Sequence, residues 1–561
     1  MENKNKISKS DIPVLKWIYT VCKKQTPWLV AMVILNVVHG TMAVFFANYS
    51  KKVIDGATVS KDINTVIKYA IALLGVIMIQ MVLYVSKNAI SEYSKGRLTI
   101  LLQKHMLKTI LKKNYSSVTK YHSGELQNRM FNDASVVTDG FMTIIPNTVF
   151  FITKLVSAFI YLVIIDRFFA LVFLAGGLFV FSVTRLFRKT IKRLHKKVQE
   201  TEGKTRSFVQ EALTNLLVFK AFSAENKVEE ETGELQEINF KAKMKRRNFS
   251  ILANTGLNVT FSIGSVFAVA FGAWSIIFKG TTYGTVTAMI QLVNQIQAPF
   301  ASLSNVVPQY FTLIASAERL MELDSIDDEF DLNKKAIDKY EVYNSLKRIE
   351  FENISFKYDR DIILDNTSFT MNKGDFVAIT GISGIGKSTL LKLLLGVYEA
   401  QTGEIRIVTE NESLYADKNT RPLFSYVPQG NMLISGTIRE NLTFISPASE
   451  DEIQKAVDIS CARSFIDELP DGLDTLIGEK GLGLSEGQVQ RLAIARSILS
   501  GAPIILLDEA TSALDENTEK QFLSNLRKLE NVSCIIVSHK LAALEICNKH
   551  IRIIDGKITE V

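Results

Sequence analysis

Cysteine is scarce in this chain: Cys22, Cys461, Cys534 and Cys547 are the four among 561 residues. No two of them stand as a CxxC pair or at a metal-ligand spacing, which excludes a disulfide framework and a zinc module. They read as reduced thiols. A secretory signal is also missing, because residues 1–26 hold scattered lysines and no uninterrupted apolar core ahead of small residues. Charge is absent from the longest apolar runs, with none between Phe261 and Phe278 and none between Gly280 and Ala317. With 47% hydrophobic residues and a mean hydropathy of +0.15, this excludes a disordered chain and argues against an ordinary soluble enzyme.

At roughly 150 residues per domain, the length allows three or four domain equivalents. The net charge of +7 hides an asymmetry. Residues 346–561 carry 23 Lys/Arg against 31 Asp/Glu, and residues 1–345 carry 42 against 27. A basic, apolar half therefore precedes an acidic one. The expected division is a transmembrane domain over 1–323, an acidic polar linker over 324–345 beginning Asp324-Ser325-Ile326-Asp327-Asp328-Glu329, and a second domain over 346–561.

A helix crossing the hydrocarbon core takes roughly 20 apolar residues. Six segments fit, at about 27–47, 66–90, 141–165, 168–184, 250–278 and 285–316. The connections after the first, third and fifth are short and carry few basic residues: Lys51, Lys52 and Lys61, then Arg167, then Lys279. Those after the second and fourth are long and basic, as in Arg185, Arg188, Lys189, Lys192, Arg193, Lys196 and Lys197. The excess of Lys and Arg places these connections and both termini in the cytoplasm. Both connections, about 91–140 and 188–249, lack proline and mix apolar with charged positions at helical spacing, so helices are expected to project well beyond the bilayer. Their tips, Tyr121-His122-Ser123-Gly124-Glu125 and Glu211-Ala212-Leu213-Thr214-Asn215, read either as turns touching the cytosolic domain or as solvated loops.

Within the sixth segment Gln291, Gln295, Ser302, Asn305 and Gln309 share one helical face, with Pro299 and Pro308 able to kink the helix. Polar groups avoid lipid, so the stripe faces the bundle, either lining a pathway or bonding neighbouring helices. Lys154 lies near the middle of the third segment. A charge there marks a functional position or is paired with a partner, and facing a pathway it would favour acidic substrates.

From residue 346 short strands alternate with helices, the pattern of a parallel α/β domain. Residues 381–389 read GISGIGKST between the strand-like Phe376-Val377-Ala378-Ile379 and a helix-like run from Leu390. This is a phosphate loop in sequence and context. Gly381, Gly384 and Gly386 lack side chains and so let backbone N–H groups reach phosphate oxygens, and Ser383 and Thr389 belong to the same nucleotide-binding loop. Lys387 supplies charge to the β- and γ-phosphates, and Ser388 a hydroxyl to Mg2+. Downstream, the buried-strand signature Ile504-Ile505-Leu506-Leu507 delivers Asp508 and Glu509 at its C-terminal end, where ligands bind in open α/β sheets. Asp508 is expected to organise Mg2+, and Glu509 to take a proton from attacking water.

Between these motifs lies Leu484-Ser485-Glu486-Gly487-Gln488, followed by Arg491 and a helix through Ala495 and Arg496. It resembles the signature motif of ATP-binding cassette transporters. Gln429, after Tyr426-Val427-Pro428, resembles the Q-loop glutamine, and Ser512-Ala513-Leu514-Asp515 the D-loop. His539, in Val537-Ser538-His539, resembles the switch histidine. Tyr358, before Ile362-Ile363-Leu364, resembles the adenine-stacking aromatic, and Ile477-Gly478-Glu479-Lys480-Gly481 the exporter-type segment before the signature. Six spans followed by one cassette is the exporter-type half-transporter layout. The resemblance thus implies an α-helical six-span domain followed by a P-loop ATPase domain, using ATP and Mg2+ in a bacterial plasma membrane.

It further implies a dimer, homodimer or heterodimer, with each ATP held between one phosphate loop and Ser485, Gly487 and Gln488 of the other chain. Asp515 would join that nucleotide site, Gln429 would approach the metal, and Glu509, His539 and Gln429 would serve hydrolysis. One departure stands out: Glu486 occupies a position where the family usually has glycine. Its acid is favourable at a helix N-terminus, and its side chain is expected to point away from the nucleotide. The expected activity is ATP-driven export of an amphipathic small molecule, peptide or lipid. The alternatives are exporter-fold import of a metal–chelator complex and a non-transporting ATP-dependent membrane regulator. With about 26 residues ahead of the first segment, no leader-peptide peptidase is expected.

Overall fold

The computed structural model describes residues 11–561 except 334, 359–360, 431–432, 479–480 and 482, and omits the side chains at 178–189, 192, 297–298, 300–301, 303–305 and 307. Asn305, Glu479, Lys480 and the basic side chains at 185, 188, 189 and 192 therefore lie outside the described residues. Two compact units divide the chain: one holds the chain up to Leu107 with Gly124–Asp324, the other Lys108–Ser123 with Ser325–Val561.

The first unit is helical throughout. After a short α1 (Ile12–Cys22) come α2 (Thr26–Asp55), α3 (Ile63–Ile110), α4 (Ala134–Ile165), α5 (Arg167–Thr214), α6 (Glu225–Lys279) and α7 (Tyr283–Asp324). An apolar run with no water beside it must satisfy its backbone internally, which selects helix. Four helical stretches among the described residues are long and apolar enough to cross a membrane: Ile12–Ser60, Ile63–Ile110, Ser123–Ile165 and Glu225–Lys279. The other two expected spans run along α5 and α7, partly through side chains that are not described. The 55 residues of α6 extend about 80 Å at 1.5 Å per residue, far more than a bilayer core requires.

Packing holds α2 and α7 on α4, and α5 beside α6. Gly40 on α2 lies where a Cβ would come within 3.2 Å of Phe150 O and Lys154 N, so a small residue brings the two helices together. An aromatic stack joins α5 to α6, with Phe169 5.8 Å from Phe267 and 5.2 Å from Phe271. Asp166 caps α5 by accepting from Phe169 N at 2.9 Å and pairs with Lys279 at 2.6 Å. Near the C-terminal end of α7, buried Asp133 binds Arg319 and accepts from Ser316 Oγ at 2.9 Å. Buried Arg129 donates to Glu125, to Glu322 at 2.8 Å and to Arg319 O at 2.9 Å. Every buried charge in this network has a counter-charge, as burial demands.

Of the polar stripe on α7, Gln291 Nε2 donates to Ser50 Oγ and Gln295 Nε2 to Ala43 O, each at 3.2 Å. These two side chains tie α7 to α2. Gln309 is exposed and Ser302 half-buried.

The second unit is layered α/β. An antiparallel sheet runs in the order β2-β1-β4-β5, from β1 (Leu346–Tyr358), β2 (Asp361–Asn372), β4 (Thr402–Thr409) and β5 (Ser413–Tyr415). A six-stranded sheet runs β10-β9-β3-β8-β7-β6, from β3 (Phe376–Thr380), β6 (Phe424–Val427), β7 (Ile504–Asp508), β8 (Ser533–Val537), β9 (Lys549–Ile554) and β10 (Lys557–Glu560). It is parallel from β9 through β6, with only β10 antiparallel. All five residues of β7 and of β8 are buried, as their near-continuous apolar sequence dictates. The stretch 325–345 packs on this unit: Leu332 and Asn333 backbone N–H groups both donate to Asp417 Oδ2 at 2.9 Å, and Arg421 pairs with Glu329 at 2.9 Å.

Candidate nucleotide site

The strand order puts β8 between β3 and β7, so the segments leaving their C-terminal ends meet at one edge of the sheet. From β3 leaves the phosphate loop, from β7 Glu509, and from β8 Ser538-His539-Lys540. The loop closes onto α8 (Lys387–Leu394). Gly386 has φ +111°, and a Cβ there would lie 2.3 Å from Ile363 Cγ2. Only glycine fits both the backbone and the space. Gly386→Ala is expected to strain the loop by about 1–3 kcal/mol. Titration with a fluorescent ATP analogue should then show binding weaker by on the order of tenfold, since 1.4 kcal/mol is one decade.

Lys387 is 5% exposed, and its ammonium donates to Gly381 O at 2.7 Å and Ile382 O at 3.2 Å. It lies 3.0 Å from His539 Nε2 and 4.0 Å from Glu509 Oε1. Ser388 Oγ donates to Asp508 Oδ1 at 2.9 Å, and Gln429 Nε2 to Glu509 Oε2 at 2.6 Å. Glu509 has φ +52°, a left-handed backbone that turns the chain sharply at the strand's end. Five residues expected from separate motifs, Lys387, Ser388, Asp508, Glu509 and His539, are thus brought together, with Gln429 beside them. Ser383 and Gly384 are exposed on the loop.

Tyr358 sits at the rim, its hydroxyl 3.3 Å from Thr389 Oγ1 and its ring 5.4 Å from that of Tyr398. Tyr398 also meets the ring of Tyr115 at 5.8 Å, on the short helix Tyr115–Val118 of the first long connection. Neither Tyr398 nor Tyr115 stands out in the sequence, because no local pattern reveals an aromatic contact across so many residues. Tyr426 is a third such residue. It faces inward on β6 and donates from its hydroxyl to Asp508 Oδ2 at 2.8 Å. Burial, and after it the Asp508 carboxylate, push its phenol well above the usual range, so it remains a donor at neutral pH.

The signature residues lie elsewhere on the unit. Ser485 caps α9 (Glu486–Leu499): it accepts from Gln488 N at 3.4 Å, while its own N–H donates to Gln488 Oε1 at 2.8 Å. Glu486 is exposed in the first turn. Gly487 packs on the Ser512–Asp515 segment, where a Cβ would lie 2.8 Å from Ala513 O. Asp515 caps α10 (Glu516–Arg527), accepting from Thr518 N at 3.0 Å, and hydrogen bonding from the Thr518 side chain and then its backbone holds the carboxyl below the usual range. Among the described residues no hydrogen bond or ion pair joins Ser485, Gly487 or Gln488 to the phosphate loop.

No group of three or more His, Cys, Asp or Glu side chains gathers as a metal cage among the described residues. A Mg2+ ion carried by nucleotide phosphates needs only one or two protein ligands, and the hydroxyl–carboxylate pair of Ser388 and Asp508 has the hard oxygens it prefers.

The family model for the ABC transporter transmembrane region matches residues 29–300, and that for the ABC transporter matches residues 364–512. An ATP-dependent lipid A-core flippase of Syntrophus aciditrophicus is 25% identical over 98% of this chain and 91% of its own length. The protein of that name from Escherichia coli K12 is 26% identical over 94% of this chain and 90% of its own. A putative export ATP-binding/permease protein of Rickettsia bellii is 31% identical over 67% of this chain and 65% of its own. With both matched regions fused in this order, the chain belongs to the ATP-binding cassette transporters, as an exporter-type half-transporter that couples an ATPase to transport across a cell membrane.

Proposed function

We propose that two copies of this chain form an ATP-driven exporter of an anionic amphiphile, a lipid carrying a phosphate or carboxylate group. The carrying observation is a cationic group between α2, α3 and α4. His39 stacks on Phe150 at 5.1 Å, and the Lys87 ammonium lies 5.2 Å from the same ring. Lys154 follows Phe150 by one turn on α4. Among the described residues neither lysine forms an ion pair, and the His39 Nδ1 atom is buried without a hydrogen-bond partner. Positive groups within membrane helices are costly unless a counter-charge arrives, and a substrate's anion supplies one. That two relatives are lipid A-core flippases by name supports the same substrate class.

The nucleotide chemistry follows from the site. Lys387 would exchange its carbonyl partners for β- and γ-phosphate oxygens, while Ser388 and Asp508 would hold Mg2+ with Gln429 nearby. That ion supplies charge neutralisation to the phosphates. Glu509 would accept a proton from the water that attacks the γ-phosphorus, as the bond to the bridging oxygen breaks and ADP leaves. His539 would contact the γ-phosphate, and Tyr358 would stack on the base. Because Ser485, Gly487 and Gln488 lie apart from the phosphate loop, a second chain's signature would complete the site. ATP then favours the closed pair, since only there do both chains touch it. The cassette would face the cytoplasm, with the membrane domain crossing several times.

The substrate reading is tested by ATP turnover in nanodiscs as phosphatidylglycerol replaces phosphatidylcholine. Turnover should rise with the anionic lipid. In the Lys87→Gln/Lys154→Gln chain the half-maximal content should increase roughly tenfold or more, because a charge-assisted contact contributes about 1.5–3 kcal/mol. An identical response in that variant would remove the support for an anionic substrate. ATP-dependent movement of labelled phosphatidylglycerol in vesicles of known orientation fixes direction, and inward movement would overturn export.

A further inference from the structure

Lys540 follows the switch histidine, and no motif reading gave it a task. Its ammonium donates to two main-chain carbonyls of the segment after Glu509: Thr511 O at 2.8 Å and Leu514 O at 2.9 Å. It also pairs at 3.3 Å with Glu519, whose carboxylate is almost fully buried on α10 and has its other oxygen without a hydrogen-bond partner. A buried acid fixes an ammonium in place, because withdrawal would leave an uncompensated charge. Lys540 is thus anchored to the Thr511–Asp515 segment and, through one peptide bond, to His539.

The same segment is gripped from its other side. Buried Gln490, on α9, donates from Nε2 to Ser512 Oγ at 2.9 Å and accepts at Oε1 from Ala513 N at 3.0 Å. Gly487, one turn earlier, lies against Ala513 O. The first turn of α9, the Thr511–Asp515 segment and His539 therefore form one hydrogen-bonded chain, whose links are Gln490 and Lys540. At one end is a group 3.0 Å from Lys387, at the phosphate loop. At the other are Ser485 and Gly487.

We propose that Lys540 is a positioning residue that couples the two nucleotide sites of the dimer. When a γ-phosphate draws His539, Lys540 moves the Thr511–Asp515 carbonyls, and Gln490 carries that shift to the signature turn facing the other chain's nucleotide. This inference rests on the two-chain site proposed above, and turnover by the unaltered chain, measured alongside, reports on that reading separately. A coupling of this kind is a free energy between sites, expressed in turnover more than in the binding of one ATP.

The test uses the full chain in nanodiscs. Lys540→Met is combined with Glu519→Gln, so that no buried charge is left without its partner. The double variant should lose roughly five- to a hundred-fold in kcat, with ATP affinity within about twofold. Lys540→Arg alone should recover most of the rate, because guanidinium also offers several donors to the two carbonyls and Glu519. Dimers purified through two tags then separate coupling from local structure. One chain carries Glu509→Gln, leaving the other chain's phosphate loop as the live site. Placing the double variant on the Glu509→Gln chain should depress turnover far more than placing it on the chain that holds the live loop. Equal loss in both arrangements, unchanged kcat in the double variant, or an Arg variant as impaired as the double would each overturn the proposal.

Discussion

ATP turnover by the Glu509→Gln chain is expected to fall by roughly 10²–10⁴-fold, the contribution typical of a positioned general base. The substitution keeps shape and removes the basic oxygen that Gln429 now holds at 2.6 Å. Binding should survive, because the phosphate-contacting groups, Lys387 and the loop backbone, are untouched. The check is steady-state phosphate release beside equilibrium ATP titration of the same preparation. Turnover within tenfold of the unaltered chain would assign the base to another group.

The second large effect concerns binding. Lys387→Ala is expected to weaken ATP affinity by roughly ten- to a hundred-fold, since a hydrogen bond to a charged group contributes about 1.5–3 kcal/mol. Two losses combine. The phosphates lose a buried ammonium, and the loop loses the strap from Lys387 to Gly381 O and Ile382 O. Lys387→Arg should rescue little, because the planar, larger guanidinium does not fit a site that is 5% exposed. The measurement is titration with a fluorescent ATP analogue in the Glu509→Gln background, where hydrolysis does not deplete the ligand. Affinity unchanged in Lys387→Ala would place the phosphates elsewhere.

Much of the nucleotide site was legible because its elements are local. A glycine at φ +111°, a lysine opening a helix and two acids ending a buried strand each leave a short signature, and the sheet then assembles them. Tyr426, Gln490 and Lys540 left none. Each is an ordinary residue whose partners lie 21 to 82 positions away, and only the tertiary fold brings them together. The membrane domain shows the same division. Lys154 was conspicuous in an apolar run, but His39 comes near it through the close approach of α2 to α4 at Gly40, and Lys87 reaches the Phe150 ring from α3. Gln291 and Gln295 sit on the expected face, and their bonds to α2 come from packing that spacing alone leaves open. For the tip at Tyr121–Glu125 the sequence left a turn on the second domain and a solvated loop both open, and residues 108–123 group with the second unit. Their contacts, such as Asn114 N to Asp327 O at 3.0 Å and Lys113 to Asp328 at 2.9 Å, are made far along the chain.

That the catalytic site is completed by a second copy is the central claim, and the most direct measurement is ATP turnover per chain in nanodiscs sorted to hold one copy or two. Turnover confined to the two-copy discs, and abolished there by Glu509→Gln, is the predicted result. Equal turnover per chain in one-copy discs, or none in two-copy discs whose protein still binds ATP, would contradict a site shared between identical chains.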